Sequence, residues 1–327
     1  MKYFFISLLL IAFNSQAQVL MERKATRARA FNEKTLFAAL QEQKAESGLA
    51  IIMDLSTDKI VSTVGYSKKD GGYIVDTNLM NVPIEPNGLM NPIAAAILID
   101  NFGLQLTDTV DLEGGVTVID GKKIRDAEMH GNKIATLQSV IAESSNVGIA
   151  KLTNRSFNPQ TPSSFFIEKL QGYIGNEKIS NISNDKSSLL FWSIGYGLKL
   201  TPKQIFEFYY RVAKMDSTLF KHASTLLTIR TALYEVCQNG TARKQFGAGS
   251  GIEYEVYGKT GSGLVANKNG YKDNQFLASF VGFTDRENPN YICLVMIKCK
   301  SNAPNHFGAT VAAPIFNQLM SNSITNK

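Results

Sequence analysis

Residues 257–263 read Tyr257-Gly258-Lys259-Thr260-Gly261-Ser262-Gly263, and how this stretch is understood decides the fold. It follows strand-like residues, Glu253 to Lys259. A strand carrying a lysine, a hydroxyl, a glycine and a second hydroxyl can border a cleft. Its ammonium and hydroxyls would point inward, and the glycine would admit a ligand backbone closely. Alone, the stretch reads equally well as an ordinary strand end, so the rest of the chain must decide.

Working outward, Gln275 to Thr284 and Tyr291 to Cys299 are also of strand type, and Phe307 to Met320 closes the chain as a helix. Upstream, Glu33 to Glu46 has helical spacing, with Leu36, Phe37 and Leu40 on one face. Gly48 to Asp54 and Ile60 to Tyr66 flank the turn formers Ser56-Thr57-Asp58-Lys59, which reads as a hairpin. Helices are expected at Pro92 to Gly103, Pro162 to Gly172, Pro202 to Met215 and Ala223 to Gln238. Another, Thr136 to Asn154, is broken at Ser144-Ser145-Asn146. A hairpin, then helices, then three strands and a helix predict an α+β fold, with a mostly antiparallel sheet covered by helices.

Several segments together resemble the transpeptidase domain of penicillin-binding proteins, from about Ala50 to about Met320. Glu143 to Leu152 (ESSNVGIAKL) is similar to that family's SxN segment, carried by Ser144 and Asn146, and Gly258 to Gly263 (GKTGSG) to its KTG strand. Between them, Ile194 to Ala213 resembles the family's GQG…TPLQ helix start, and Cys237 to Ala242 (CQNGTA) its GTA turn. Leu277 to Ile297 is similar to the closing strands and Val311 to Leu319 to the final helix. The resemblance implies a serine D,D-transpeptidase or β-lactamase-like fold. It implies substrate-binding roles for Ser144, Asn146, Lys259, Thr260, Gly261 and Ser262, and no cofactor.

The first family motif is where the chain departs. The family carries a nucleophilic serine, with a lysine three residues on, in a segment like EPGSxxKP. Here the segment reads Glu85-Pro86-Asn87-Gly88-Leu89-Met90-Asn91-Pro92, so Gly88 stands at the serine position and Asn91 at the lysine position. Spacing of three at a helix start puts both on one face. Glycine has no side chain to acylate, and an asparagine amide is no useful proton acceptor. Two other SxxK strings exist. Ser56 to Lys59 sits in the hairpin turn, and Ser183-Asn184-Asp185-Lys186 falls in a polar loop after SxN, out of order for this fold. Ser144 is the stand-in nucleophile to consider, because it should face the cleft near Lys259. The reading is therefore a pseudo-transpeptidase that binds peptidoglycan stem peptide, β-lactam or cell-wall synthesis proteins without acyl transfer. The alternative is an active serine D,D-transpeptidase, carboxypeptidase or β-lactamase-type enzyme using Ser144.

The N-terminus reads as an address. Lys2 precedes a ten-residue apolar run, Phe4 to Phe13, broken only by Ser7, and Ser15-Gln16-Ala17 offers a small-residue cleavage site. Ten is short of the ~20 needed to span a bilayer, so a signal peptide (1–17) is expected over an uncleaved anchor. A periplasmic or secreted protein follows, with a lead segment and helix over 18–47 and the transpeptidase-like domain over 48–327. A net charge of +6 on 327 residues, on an exported chain, argues against a nucleic-acid partner. Three histidines and three scattered cysteines give no metal-ligand spacing and no disulfide framework, and the cysteines are expected as buried thiols. His130 reads as a loop residue. Trp192, Phe206, Tyr209 and Tyr210 read as core.

Overall fold

The computed structural model describes residues 26–325, apart from 128–132, 158–159, 178, 180–185, 267–269, 272–273 and 287. The signal-peptide segment, His130 and most of the second SxxK string lie outside the described residues. Among those described, no helix is long and apolar enough to cross a membrane.

Helix α1 (26–42) leads into strand β1 (Ser47–Asp54), hairpin partner β2 (Lys59–Lys69) and a short edge strand β3 (Gly72–Val75). The far end of the chain supplies β8 (Glu255–Leu264), β9 (Phe276–Arg286) and β10 (Asn288–Cys299). The six form one antiparallel sheet in the order β3-β2-β1-β10-β9-β8. Strand β1 pairs with β10, Ser47 opposite Lys298 and Asp54 opposite Tyr291. The two ends of the sequence thus close one sheet, with the helices inserted between them.

The insertion begins with a single 3₁₀ turn, Asn87–Leu89, feeding α2 (Met90–Phe102). Every residue from Met90 to Leu98 is buried. A helix apolar on all sides belongs in the middle of a core rather than on its surface. It stops at Gly103, whose φ of 71° is the left-handed C-cap geometry that favours glycine. Strands β4 (Thr109–Asp111) and β7 (Ile134–Thr136) pair, as do β5 (Val116–Ile119) and β6 (Lys122–Arg125). Helices α3 (Leu137–Ala142), α4 (Asn146–Ser156), α5 (Ser163–Tyr173), α6 (Lys186–Ser193), α7 (Pro202–Ala213), α8 (Ala223–Gln238) and α9 (Arg243–Phe246) follow. Helix α10 (Ala312–Thr325) ends the chain. This is the predicted α+β arrangement.

Several expectations need correction. The strand reading for 253–259 stopped too soon, because β8 runs through the whole Lys259-Thr260-Gly261-Ser262 stretch. Helix α6 and the four short strands β4–β7 were not expected; each is too short to show a hydrophobic period. The break in 136–154 is real: Thr136 caps α3, Ser145 caps α4, and Ser144 between them has φ 58°. The Ser56–Lys59 string is a hairpin turn, where Asp54 accepts the Ser56 N–H at 2.8 Å and Asp58 has φ 56°. Cys237, Cys293 and Cys299 are buried free thiols. Trp192, Phe206 and Tyr209 are core, and Tyr210 packs against it.

Candidate active site

Four segments far apart in sequence meet at one cleft of about 480 Å³: the start of α2, the α3–α4 junction, β8, and the turn between α8 and α9. Gly88, Ser144, Asn146, Thr260 and Ser262 line it together, while Lys259 and Gly261 do not.

The start of α2 is held from outside the cleft. Ile84 and Leu200 exchange backbone hydrogen bonds of 2.8 and 2.9 Å, and the Asn87 N–H donates to the Gly195 carbonyl at 3.0 Å. Buried Glu85 accepts the Gly197 N–H at 2.7 Å and the Tyr271 hydroxyl at 2.9 Å. Gly195 must be glycine here, since a Cβ would lie 2.2 Å from the Asn87 carbonyl oxygen.

Gly88 and Asn91 point where the one-face spacing predicted. The Asn91 side-chain amide approaches the Ser144 hydroxyl at 3.4 Å. A Cβ on Gly88 would lie 2.9 Å from Ser144 Oγ and 3.0 Å from the Thr260 carbonyl. Ser144 Oγ thus occupies the space beside position 88. Asn91 is fully buried, and its Oδ1 has no partner among the described residues.

Lys259 is where the sequence expectation needs most correction. Instead of presenting a cation to the cleft, it is fully buried behind Ser144, donating to Ser144 Oγ at 2.7 Å and to the Thr260 carbonyl at 2.9 Å. Side chains alternate along a strand, so Lys259 and Thr260 take opposite faces of β8. Burial pushes the Lys259 ammonium down to about 7. Gly261 also differs from expectation. Its bare side packs on the protein itself, where a Cβ would lie 2.3 Å from Ser279 Oγ and 3.0 Å from Leu89. The Thr260 hydroxyl shares a 2.7 Å hydrogen bond with Thr241, and Ser262 Oγ accepts the Gly308 N–H at 2.8 Å. Asn146 Nδ2 donates to the Arg125 carbonyl at 3.1 Å, which leaves its Oδ1 to accept from a ligand.

Sequence reasoning missed the cations that do line the cleft, Arg243 and Lys244, together with Thr241. They follow the Gly240-Thr241-Ala242 turn directly. That turn is fixed by the Thr241 N–H donating to the Ala142 carbonyl at 3.0 Å, a contact across a hundred residues that no local pattern reveals.

Depression of the Lys259 pKa makes stability depend on pH. Between about 7 and the unfolded value of 10.5, the unfolded chain holds a proton that the folded chain does not. Stability therefore rises with pH across that window, by up to about 1.4 kcal/mol per unit, and this contribution is flat below it. Lys259→Met keeps the bulk and removes the buried amine. Denaturant titrations of the variant from pH 7 to 9.5 should lose that slope. A slope identical to that of the parent would mean that the amine stays charged.

Helices cover an antiparallel sheet, and a hydroxyl-rich strand faces a helix start across a cleft. Comparison with known proteins makes this specific. The model for the penicillin binding protein transpeptidase domain matches residues 48–321, and the chain belongs to that family. It is 26% identical to a probable peptidoglycan D,D-transpeptidase PenA of Neisseria flavescens, aligned over 95% of this chain and 83% of the relative. It is 23% identical to the peptidoglycan D,D-transpeptidase FtsI of Buchnera aphidicola, over 86% of this chain and 54% of the relative. The chain thus spans only about half the length of several curated relatives. Among solved structures, the transpeptidase domain of Burkholderia pseudomallei penicillin-binding protein 3 superposes with a TM-score of 0.75 at 22% identity, covering 92% of this chain and 94% of that one. The transpeptidase domain of a D,D-transpeptidase from Legionella pneumophila gives 0.65 at 20% identity, covering 91% and 96%. At these identities the structural likeness speaks for the fold.

Proposed function

We propose that the protein is an exported pseudo-transpeptidase, which holds peptidoglycan stem peptides or cell-wall synthesis proteins in this cleft without acyl transfer. One observation carries the reading: Gly88 and Asn91 sit at the helix start that faces Ser144, one with no oxygen and the other with no amine. The remaining groups suit a non-covalent ligand with a carboxylate. Arg243 and Lys244 supply charge, Thr260 and Thr241 hydroxyls, and Asn146 an amide oxygen. The apolar run at 4–13 supports export.

A charge-assisted hydrogen bond contributes ~1.5–3 kcal/mol. Two of them, less ordering costs, give an affinity of roughly millimolar to tens of micromolar. An NMR titration with a D-Ala-D-Ala peptide should give saturable shifts around Ser144 and Thr260. Arg243→Gln with Lys244→Gln should weaken binding about tenfold or more. Absence of shifts at millimolar peptide would move the function to an outer surface.

A second reading is favoured by one contact. The 2.7 Å approach of Lys259 Nζ to Ser144 Oγ, with an amine that is neutral above about pH 7, is the arrangement of a serine–lysine pair. On this reading Ser144 attacks and Lys259 takes its proton. A covalent adduct mapped to Ser144 is its signature.

A further inference from the structure

A second cavity, of about 450 Å³, opens beside the Glu85–Gly88 turn and shares no lining residue with the cleft. Asn87 lines this cavity and Gly88 lines the cleft, so the two meet at one peptide bond. Its floor is apolar. Leu49 and Met296 are paired across β1 and β10, and Leu277 lies next to them on β9. Val82 and Ile84 form an apolar wall, and Val82 is still 41% exposed.

The charges around this cavity do not balance. Lys68, Lys199 and Lys298 line it, and none of their ammonium groups has an ion pair or hydrogen bond among the described residues. The two carboxylates present are already engaged. Glu46 pairs with Lys300 at 2.9 Å, and Glu85 takes the Gly197 N–H and the Tyr271 hydroxyl. Asn87, 1% exposed, leaves its Oδ1 without a partner among the described residues. Lys68 and Lys199 are exposed and Lys298 half-buried, and cations at the edge of an apolar floor suit an occupant with an anionic head and a hydrocarbon body. The volume is near the lower end of the ~300–1,000 Å³ range of small-molecule sites, which suits one acyl chain and not two.

We propose that this cavity binds a single-chain carboxylate amphiphile of the fatty-acid class, its head among Lys68, Lys199 and Lys298 and its chain on Leu49, Leu277 and Met296. The site is independent of the cleft's ligand. Because Asn87 touches it, occupancy should also move the Gly88 amide.

Calorimetry on the purified protein with octanoate, decanoate and dodecanoate, each below its micelle concentration, tests this. The expected result is saturable one-to-one binding that tightens roughly threefold to fourfold per added methylene. Dodecyltrimethylammonium should not bind. The Lys68→Gln, Lys199→Gln, Lys298→Gln variant should lose about tenfold or more in affinity. Should that variant fold poorly, the methyl resonance of Met296 in the parent protein gives a second readout, and dodecanoate should shift it to saturation. No saturable binding, affinity independent of chain length, equal binding by the cation, or a stronger response to a lysophospholipid than to dodecanoate would each overturn the proposal.

Discussion

Incubated with benzylpenicillin, the purified protein should keep its intact mass, at pH 7 and again at pH 9. In this family the trapped species is a serine ester, and Gly88 offers no oxygen to form it. Loss of the nucleophile alone lowers kcat by roughly 10⁶ in a serine protease, even with the rest of the site intact. Asn91 offers no amine to take the proton, so on the pseudo-transpeptidase reading the same step is blocked twice. The pH 9 arm matters because the Lys259 amine, pushed down to about 7 by burial, is then neutral and best able to deprotonate Ser144. That is the condition most generous to the serine–lysine reading. A one-to-one mass increase mapped to Ser144 by peptide digestion would replace the pseudoenzyme by an enzyme with a displaced nucleophile.

Much of this site was legible because its chemistry sits in short local strings. Lys259-Thr260-Gly261-Ser262 is an unusual strand, and Ser144-Ser145-Asn146 interrupts a helical period with residue types that favour helix caps, Ser145 being the cap of α4. The order of these strings along the chain placed them in one fold. Which way each side chain faces was harder to read. Lys259 was expected in the cleft beside Thr260, yet neighbouring residues on a strand face opposite ways, and the lysine lies fully buried behind Ser144. Gly261 was read as room for a ligand, when its missing side chain is room for Ser279 and Leu89. Nothing in the local sequence marks Arg243 and Lys244 as cleft residues. Their place at the cleft depends on the Thr241 N–H reaching the Ala142 carbonyl, which is a tertiary fact. The clasp of Glu85 by Gly197 and Tyr271 is of the same kind. Glu85 and Gly197 lie in segments the sequence marks, but only the fold brings them together with Tyr271.

If the two substitutions at the start of α2 are what silenced the site, restoring them should bring back some of its chemistry. Gly88→Ser with Asn91→Lys is expected to give slow, partial acylation by penicillin, seen as a mass increase over hours, and neither single variant should show it. Gly88→Ser alone has an oxygen but no nearby base other than Lys259, which Ser144 already engages at 2.7 Å. Asn91→Lys alone has an amine and nothing to deprotonate at position 88. The structure also says what the repair must overcome. A Cβ at position 88 meets Ser144 Oγ at 2.9 Å and the Thr260 carbonyl at 3.0 Å. The hydroxyl can rotate away; the carbonyl must give by a few tenths of an ångström. A lysine at the fully buried position 91 adds a second amine near Lys259, and like charges in one site drive at least one of them neutral. This favours a general base while costing stability, about 1–3 kcal/mol for a substitution of this kind. A double variant that unfolds cooperatively near the parent's midpoint, yet keeps its mass in penicillin, would locate the block elsewhere. The missing oxygen and amine would then not be the limiting loss, and the packing of Ser144 against position 88 would be what keeps a β-lactam carbonyl out of reach.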